Sequence, residues 1–260
     1  EPIEIDLEEE IEDFSNLEPF VVYVSGSDTR SNMLTVSRSD VNILAVVNPE
    51  TKQILLVTTP RDAYVELPTQ YYNMDKLTHA ALFGGVDSSI ATLANLYDIT
   101  IDHYVRLNFT GFSAIVDALG GIEVYSEVEF WQADENGNEH YFEQGWNYLD
   151  GEAALSFVRC RYAFVDGDFQ RGRNQMAAIQ GILDKVMSPS ILTSYIPLMD
   201  SIAGCFSTNF TDEEIAELVQ MQLDDGASWN ITSYEVAGWA DAAWCYSLGE
   251  EASIVFLDSE

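Results

Sequence analysis

Four arginines, Arg159, Arg161, Arg171 and Arg173, fall within fifteen residues of a 260-residue chain that holds 11 Lys plus Arg against 44 Asp plus Glu. Guanidinium is the group that forks onto phosphate oxygens with two parallel hydrogen bonds. A cluster of this size in a chain of formal charge -33 needs an anionic partner or a local acid to hold it. Arg159 and Arg161 stand two apart, so on an extended segment they share one face. Arg171 and Gln175 stand four apart. On a helix they share a face near its N-terminus, where free N–H groups and the dipole also favour an anion. The expected ligand is a phosphate or pyrophosphate.

Most of the remaining cations, Arg30, Arg38, Arg61, Lys76 and Arg106, fall at predicted strand ends or loops, the usual position of a binding site on a rigid sheet. Lys52 and Lys185 read as ordinary surface charges. Acids keep step with the cations: Asp28, Asp40, Asp62 and Asp168. Each alone reads as a turn former or a salt-bridge partner for a neighbouring arginine. Beside a phosphate they become hard oxygen ligands of the kind Mg²⁺ takes, since that ion is held by one or two carboxylates together with substrate phosphates and water. His79, His103 and His140 lie in separate contexts and offer no transition-metal site. Cys160, between two arginines, has no histidine near it in sequence to serve as a base and makes a poor nucleophile. Cys205 and Cys245 read either as a disulfide or as two buried thiols.

These side chains need a frame, and 260 residues that are 47% hydrophobic are enough to bury one large core. Residues 1–18 are rich in Glu and Asp and read as a solvated arm; residues 19–260 read as one domain. Pro19 to Ser25 reads as a strand, and Val41 to Asn48 with Gln53 to Thr59 as a hairpin of two central strands. Asp87 to Tyr97 has helical spacing with Asp87 as N-cap, and Ile101 to Asn108 alternates as a strand. Gly111 to Leu119 reads as a helix closed by Gly120 and Gly121, followed by a strand from Ile122 to Glu127. Asp134 to Asn138 marks a turn between two short strands, and Asp150 caps a short helix through Phe157. Helices are expected over Asp168 to Met187, Ser190 to Ile202 and Thr211 to Leu223, the last capped by Thr211. Strands close the chain at Ile231 to Val236 and Ser253 to Leu257. Strands interleaved with helices give an α/β (α+β) fold with a central mixed sheet and helices on its faces.

The charge balance excludes several classes of partner. An acidic body repels DNA, RNA and anionic lipid headgroups, so nucleic-acid binding is not expected. No stretch reaches the ~20 apolar residues of a spanning helix, and neither an initiator Met nor a signal-like segment stands at Glu1. We expect a chain trimmed behind an anchor. The triplets at Asn108, Asn209 and Asn230 fit the glycosylation pattern by chance, and the aromatic stretch Trp239 to Tyr246 is expected to pack in the core rather than to edge a glycan groove.

In their order along the chain these motifs resemble the LytR/CpsA/Psr family of bacterial cell-wall enzymes. The matching residues are Gly26 to Arg30, Arg38 to Asp40, Val47 to Lys52, Thr59 to Asp62, Asp75 to Ala80 with Gly84 and Gly85, Tyr104 to Phe112, Asp117 to Gly121, Leu149 to Leu155 and the block from Arg159 to Gln175. The resemblance covers about residues 20 to 180. Ala81, Gln170 and Cys160 depart from residues common in the family, which bears on the acceptor rather than on phosphate chemistry. The resemblance implies a largely antiparallel mixed sheet flanked by helices around an apolar channel for a polyprenyl tail. It also implies an N-terminal membrane anchor ahead of Glu1 and a place at the extracellular face of the cell membrane or in the cell wall. The implied activity is transfer of a phosphate-linked glycopolymer, such as teichoic acid or capsule, from an undecaprenyl pyrophosphate carrier to peptidoglycan.

Carried over residue by residue, the family assigns Asp28 and Asp40 to Mg²⁺, and Arg61, Arg159, Arg161, Arg171 and Gln175 to the phosphates. Arg30, Arg38, Lys76, Arg106 and Arg173 join as auxiliary contacts. Clamping a pyrophosphate neutralises charge that builds on the leaving group, the main source of rate in such transfers. The general base for the acceptor hydroxyl is left open between Asp62 and Asp168, either of which could instead orient an arginine. Two other readings share the same clamp: a hydrolase that uses water, and a non-catalytic binder of lipid-linked wall precursors.

Overall fold

A computed structural model describes residues 18–27, 37–134, 136–161, 163–164, 167–192 and 195–258, apart from the side chains of 167, 168, 189, 195, 196 and 225. The expected acidic arm over residues 1–18 therefore lies almost wholly outside the described residues. The chain begins with strands β1 (Phe20–Ser27), β2 (Val41–Asn48), β3 (Gln53–Thr58), β4 (Tyr64–Leu67) and β5 (Asn73–Lys76). Helices α1 (Leu77–Ala80) and α2 (Gly85–Tyr97) lead to β6 (His103–Asn108), α3 (Phe109–Ala118) and the hairpin strands β7 (Ile122–Ser126), β8 (Phe130–Ala133), β9 (Glu139–Phe142) and β10 (Gly145–Leu149). The second half runs through α4 (Gly151–Arg159), α5 (Gly167–Val186), α6 (Pro189–Leu192), α7 (Tyr195–Ser201), β11 (Phe206–Thr208) and α8 (Asp212–Asp225). Strands β12 (Asn230–Glu235), β13 (Gly238–Cys245) and β14 (Glu250–Leu257) end it.

The β-branched runs of β1, β2 and β3 sit at the middle of a six-stranded sheet of order β11-β6-β1-β2-β3-β12. β2 is antiparallel to β1 and β3, and β11 is antiparallel to β6, while β6 runs parallel to β1 and β12 parallel to β3. This is the mixed sheet expected from sequence. Alternation along the strands gives it two apolar faces. Tyr23 and Leu44 pack with Leu93 and Ile90 of α2 on one side, and Val22, Ile43, Ala45 and Leu56 pack with Met176 and Ile179 of α5 on the other. A third core joins α3, α4 and α5 to the β7 to β10 hairpins, centred on Val116, Ile122, Phe142 and Phe157.

Local chemistry explains most element ends. Asn108 caps α3 by accepting from the Gly111 N–H at 2.8 Å, Asp150 caps α4 by accepting from the Ala153 N–H at 2.9 Å, and Thr211 with Glu214 forms a capping box on α8. Gly120 and Gly121 take φ of 74° and 91° and turn the chain out of α3. At Gly181 the reason for glycine is closeness, because a Cβ there would collide with the Glu123 carbonyl and force α5 off β7.

The structure corrects several expectations. Gly84, not Asp87, is the N-cap of α2, and Asp87 lies in its first turn, where its charge still complements the dipole. The helix expected over Ser190 to Ile202 is two short ones; Pro197 falls in the first turn of α7, which a proline tolerates, whereas in the interior of one long helix it would remove a hydrogen bond. Trp239, Trp244 and Tyr246 are exposed rather than in the core, because β13 pairs only with β14 and lies at the surface. Cys205 and Cys245 are free thiols.

Between the hairpins lies a buried polar knot. His79 Nδ1 is 2.8 Å from Asp75 Oδ1 and 2.8 Å from Ser247 Oγ, and the Ser247 N–H donates to Asp75 Oδ2 at 2.6 Å. It ties the β13–β14 turn to β5 and α1. Burial pushes the Asp75 pKa up, but hydrogen bonds from His79, Ser247 and the Lys76 N–H outweigh it and hold the carboxyl below its ordinary value. A depressed folded pKa gives stability that is full above the unfolded value and is lost as pH falls through the folded one. Asp75→Asn should therefore cost about 2–3 kcal/mol near neutral pH and flatten the acid limb of stability, as read by urea melts between pH 3 and 7.

Candidate active site

The sheet's connectivity gathers the candidate residues at one edge. β1 and β6 are parallel and in step, so Ser27 and Asn108 end side by side. β2 begins there, with the Asp40 N–H donating to the Gly26 carbonyl at 2.8 Å. β3, antiparallel to β2, and β12, parallel to β3, also end there and deliver Arg61 and Glu235. Ligand sites in open α/β sheets form outside the carboxyl ends of the strands.

A cavity of about 310 Å³ opens at this edge. Its polar lining includes Asp40, Arg61, Arg159, Arg161, Arg171 and Gln175, and its apolar lining includes Val24, Leu107, Phe112, Leu155, Val158 and Ile179. Arg159 ends α4, and Cys160 after it is extended at φ -61° and ψ 127°, so Arg159 and Arg161 both reach the cavity while Cys160 turns into the core. Arg159 lies over the Phe109 ring, 4.3 Å from its centroid, a contact that holds the guanidinium without neutralising it. Arg171, Gln175 and Ile179 fall at four-residue spacing on one side of α5 and line the same space. Sequence spacing predicted these pairings.

Arg61 pairs with Asp40 at the mouth, and its Nε is 3.9 Å from Asp62 Oδ2. Asp62 in turn takes Lys76 Nζ at 3.1 Å. Asp62 lines a smaller adjoining cavity with Arg171, Gln175 and Glu235; Lys76 braces it from behind and lines neither. Arg106 is only 1% exposed and lies under the site. It sits within β6 rather than at a strand end, and its Nη2 donates to the Ser37 carbonyl and hydroxyl at 2.8 Å each, so it fixes the segment before Asp40. Burial lowers the Arg106 pKa. The Ser25 to Ser39 hydroxyl contact at 3.1 Å and the Asn42 Nδ2 bond to the Ser39 carbonyl at 3.2 Å hold the same segment.

Other candidates fall elsewhere. Arg38 is exposed and lines neither cavity. Arg173 faces a separate cleft, its Nε 2.9 Å from Glu127 and its Nη1 3.4 Å from Glu235. Asp28, Arg30 and the Asp168 side chain lie outside the described residues. The apolar lining was not singled out from sequence as site residues, because Leu155, Val158 and Ile179 carry the same helical spacing as core positions.

No group of three or more His, Cys, Asp or Glu side chains among the described residues could hold a metal ion alone. Mg²⁺ does not require one, because it keeps waters and takes phosphate oxygens. Asp40 lines the cavity, and so does Ser27, whose buried Oγ has no hydrogen-bond partner among the described residues. This hard-oxygen set fits the ion.

An α/β domain with an arginine-rimmed, apolar-walled cavity at the carboxyl ends of its sheet strands is what the fold and the site define. The chain matches the LytR_cpsA_psr family over residues 3–256, and it belongs to that family. It is 34% identical over 242 residues to the polyisoprenyl-teichoic acid–peptidoglycan teichoic acid transferase TagU of Bacillus cereus, covering 92% of this chain and 76% of the relative. It is 37% identical over 205 residues to the transferase of the same name from Enterococcus faecalis, covering 78% and 66%. Among solved structures, B. subtilis TagV superimposes with a TM-score of 0.78 at 25% identity, covering 94% of this chain and 92% of TagV. TagT bound to LIIa-WTA superimposes with a TM-score of 0.72 at 28% identity, covering 95% and 87%.

Cys160 is fully buried, and burial pushes its thiol pKa up; a thiol so placed is inert. Cys160→Ala should keep activity within about threefold, at a stability cost of about 1 kcal/mol. Native protein should resist iodoacetamide at this position, as peptide mass mapping would show.

Proposed function

We propose that this chain is a phosphotransferase that moves a phosphate-linked glycopolymer from a polyprenyl pyrophosphate carrier to peptidoglycan. One observation carries the reading: a single cavity joins Arg61, Arg159, Arg161 and Arg171 to an apolar wall. A pyrophosphate between a glycan and an isoprenoid has this polarity. The named activity of the B. cereus and E. faecalis relatives supports it. In this reading the domain works at the outer face of the cell membrane. No helix among the described residues is long and apolar enough to cross a membrane, so the anchor is part of the proposal and not of the fold described.

The residues divide the work. Arg159, Arg161 and Arg171 bind the two phosphates, and Gln175, beside Arg171 on α5, donates to a phosphate oxygen. A hydroxyl of the acceptor sugar attacks the phosphorus nearest the glycan and gives up its proton to a carboxylate, Asp62 or Asp168. The bond from that phosphorus to the bridging oxygen breaks, and polyprenyl phosphate leaves with the electron pair. The guanidiniums offset the charge that grows on it, inside a cavity where water screens poorly. Asp62, held between Arg61 and Lys76, aims Arg61. Asp40 and the Ser27 hydroxyl would hold Mg²⁺, with Asp28 as the further ligand by family resemblance; the ion would supply additional positive charge to the phosphates.

The test supplies purified protein with a polyprenyl pyrophosphate-linked, labelled glycan and peptidoglycan, with Mg²⁺ or with a chelator. Polyprenyl phosphate should appear together with label on peptidoglycan, and chelation should suppress both. Arg171→Ala should lower the rate about 10²-fold. Label released only as free glycan would replace transfer by hydrolysis, and no polyprenyl phosphate at all would leave a non-catalytic binder.

A further inference from the structure

On the far side of α5 lies a second cleft of about 310 Å³, lined by α5 and by the ends of β7 and β12. Arg173 is neutralised, with Glu127 at 2.9 Å, Glu235 at 3.4 Å and its Nη2 donating to Gln170 Oε1 at 2.6 Å. Two carboxylates around one guanidinium leave the cleft net negative, which disfavours a phosphate. What a ligand can reach is the outer side of the Arg173, Glu127 and Glu235 set and the exposed Gln180 amide, which together donate and accept. Gln170 and Asn174 are 3% and 2% exposed, and Gln170 Nε2 donates to Asn174 Oδ1 at 3.1 Å, so the floor is rigid and polar. One wall is aromatic: Tyr125 is half exposed and is backed by Trp146 across the β7–β10 pair, ring centroids 5.6 Å apart at 78°.

A reachable amide and an Arg–Glu set that leaves no net positive charge, beside an exposed ring, match a neutral sugar, whose hydroxyls and acetamides both donate and accept and whose C–H face packs on an aromatic. The cleft also adjoins the site described above. Glu235 lines both it and the small cavity that contains Asp62, Arg171 and Gln175. We infer that this cleft binds the acceptor, an uncharged N-acetylated glycan strand, and that Tyr125, braced by Trp146, is its stacking platform. The inference rests on the transferase reading and adds the location and chemistry of the second substrate. The glycan lies along α5 with one hydroxyl directed past Glu235 toward the phosphate mouth.

Calorimetric titration with chitotetraose, and with glycan strands freed from peptidoglycan, tests it. Wild-type protein should bind both. The double variant Tyr125→Ala with Trp146→Ala should weaken binding about tenfold, the scale of one lost aromatic contact, and raise KM for acceptor more than it lowers kcat. Gln180→Ala, at an exposed position on the cleft wall, is the gentler variant should the double one fail to fold, and it should weaken binding severalfold. Polyprenyl pyrophosphate binding by the same variants reports that the fold stands. Unchanged glycan affinity in these variants overturns the inference, as does glycan binding that is lost in Arg171→Ala alone. Failure of the transferase reading shows differently: wild-type protein would then put no label on peptidoglycan, whatever the titration gives.

Discussion

Like charges must be held together here before any ligand arrives, and the architecture around the site answers that constraint. Four guanidiniums face one partly dry cavity, where repulsion is stronger than in water. They are held by different means. Arg61 is paired with Asp40, Arg159 rests on the Phe109 ring, and Arg171 is fixed by a helix whose next turns are buried in two cores. At the mouth Arg61 and Asp40 are joined by Asp62 and Lys76 into an alternating row. In the proposed function a pyrophosphate would offset this repulsion, so affinity and assembly of the site would have the same physical origin. The acidic excess of the chain lies elsewhere and sharpens the contrast between pocket and surface.

The sheet supplies the convergence. Mixed strand directions would ordinarily scatter loops over both edges. Here β1, β3, β6 and β12 all end where β2 begins, so residues from Ser27 to Glu235 meet at one place. Arg106 shows what this costs in polar burial. It is a guanidinium inside the protein whose Nε and Nη1 lack hydrogen-bond partners, and whose bonds to Ser37 hold in place the segment that presents Asp40. Its role is to shape the site from below, which is also the role of the serine and asparagine network beside it.

What could be read from the sequence follows from how local each signal is. The hairpin of β2 and β3, the caps at Asp150 and Thr211 and the shared face of Arg171 and Gln175 are set within a few residues, and all were legible. So was the gathering of Arg159, Arg161, Arg171 and Gln175 at one cavity, because their spacing survives folding. Arg173 was not separable from its neighbours. It is two residues from Arg171, and only the helical turn, with Glu127 and Glu235 contributed from distant strands, sends it to the other side of α5. The exposed position of Trp239 and Trp244 was hidden for a similar reason: an apolar strand is buried only if something covers it, and β13 has a single strand partner. The family resemblance named the cavity's polar residues, but its apolar lining required the fold.

The contact of Gly181 with the Glu123 carbonyl leaves α5 no room to slide along β7. Gln175 and Arg171 stand six and ten residues upstream, or about 9 and 15 Å along a rod rising 1.5 Å per residue. Their reach is thus measured from a fixed stop, as are the positions of Gln170 and Asn174 on the opposite flank. A protein made this way acts as a gauge and not as a clamp: donor and acceptor must come to the spacing it dictates, and variation among polymers has to be absorbed by the parts of them that hang outside.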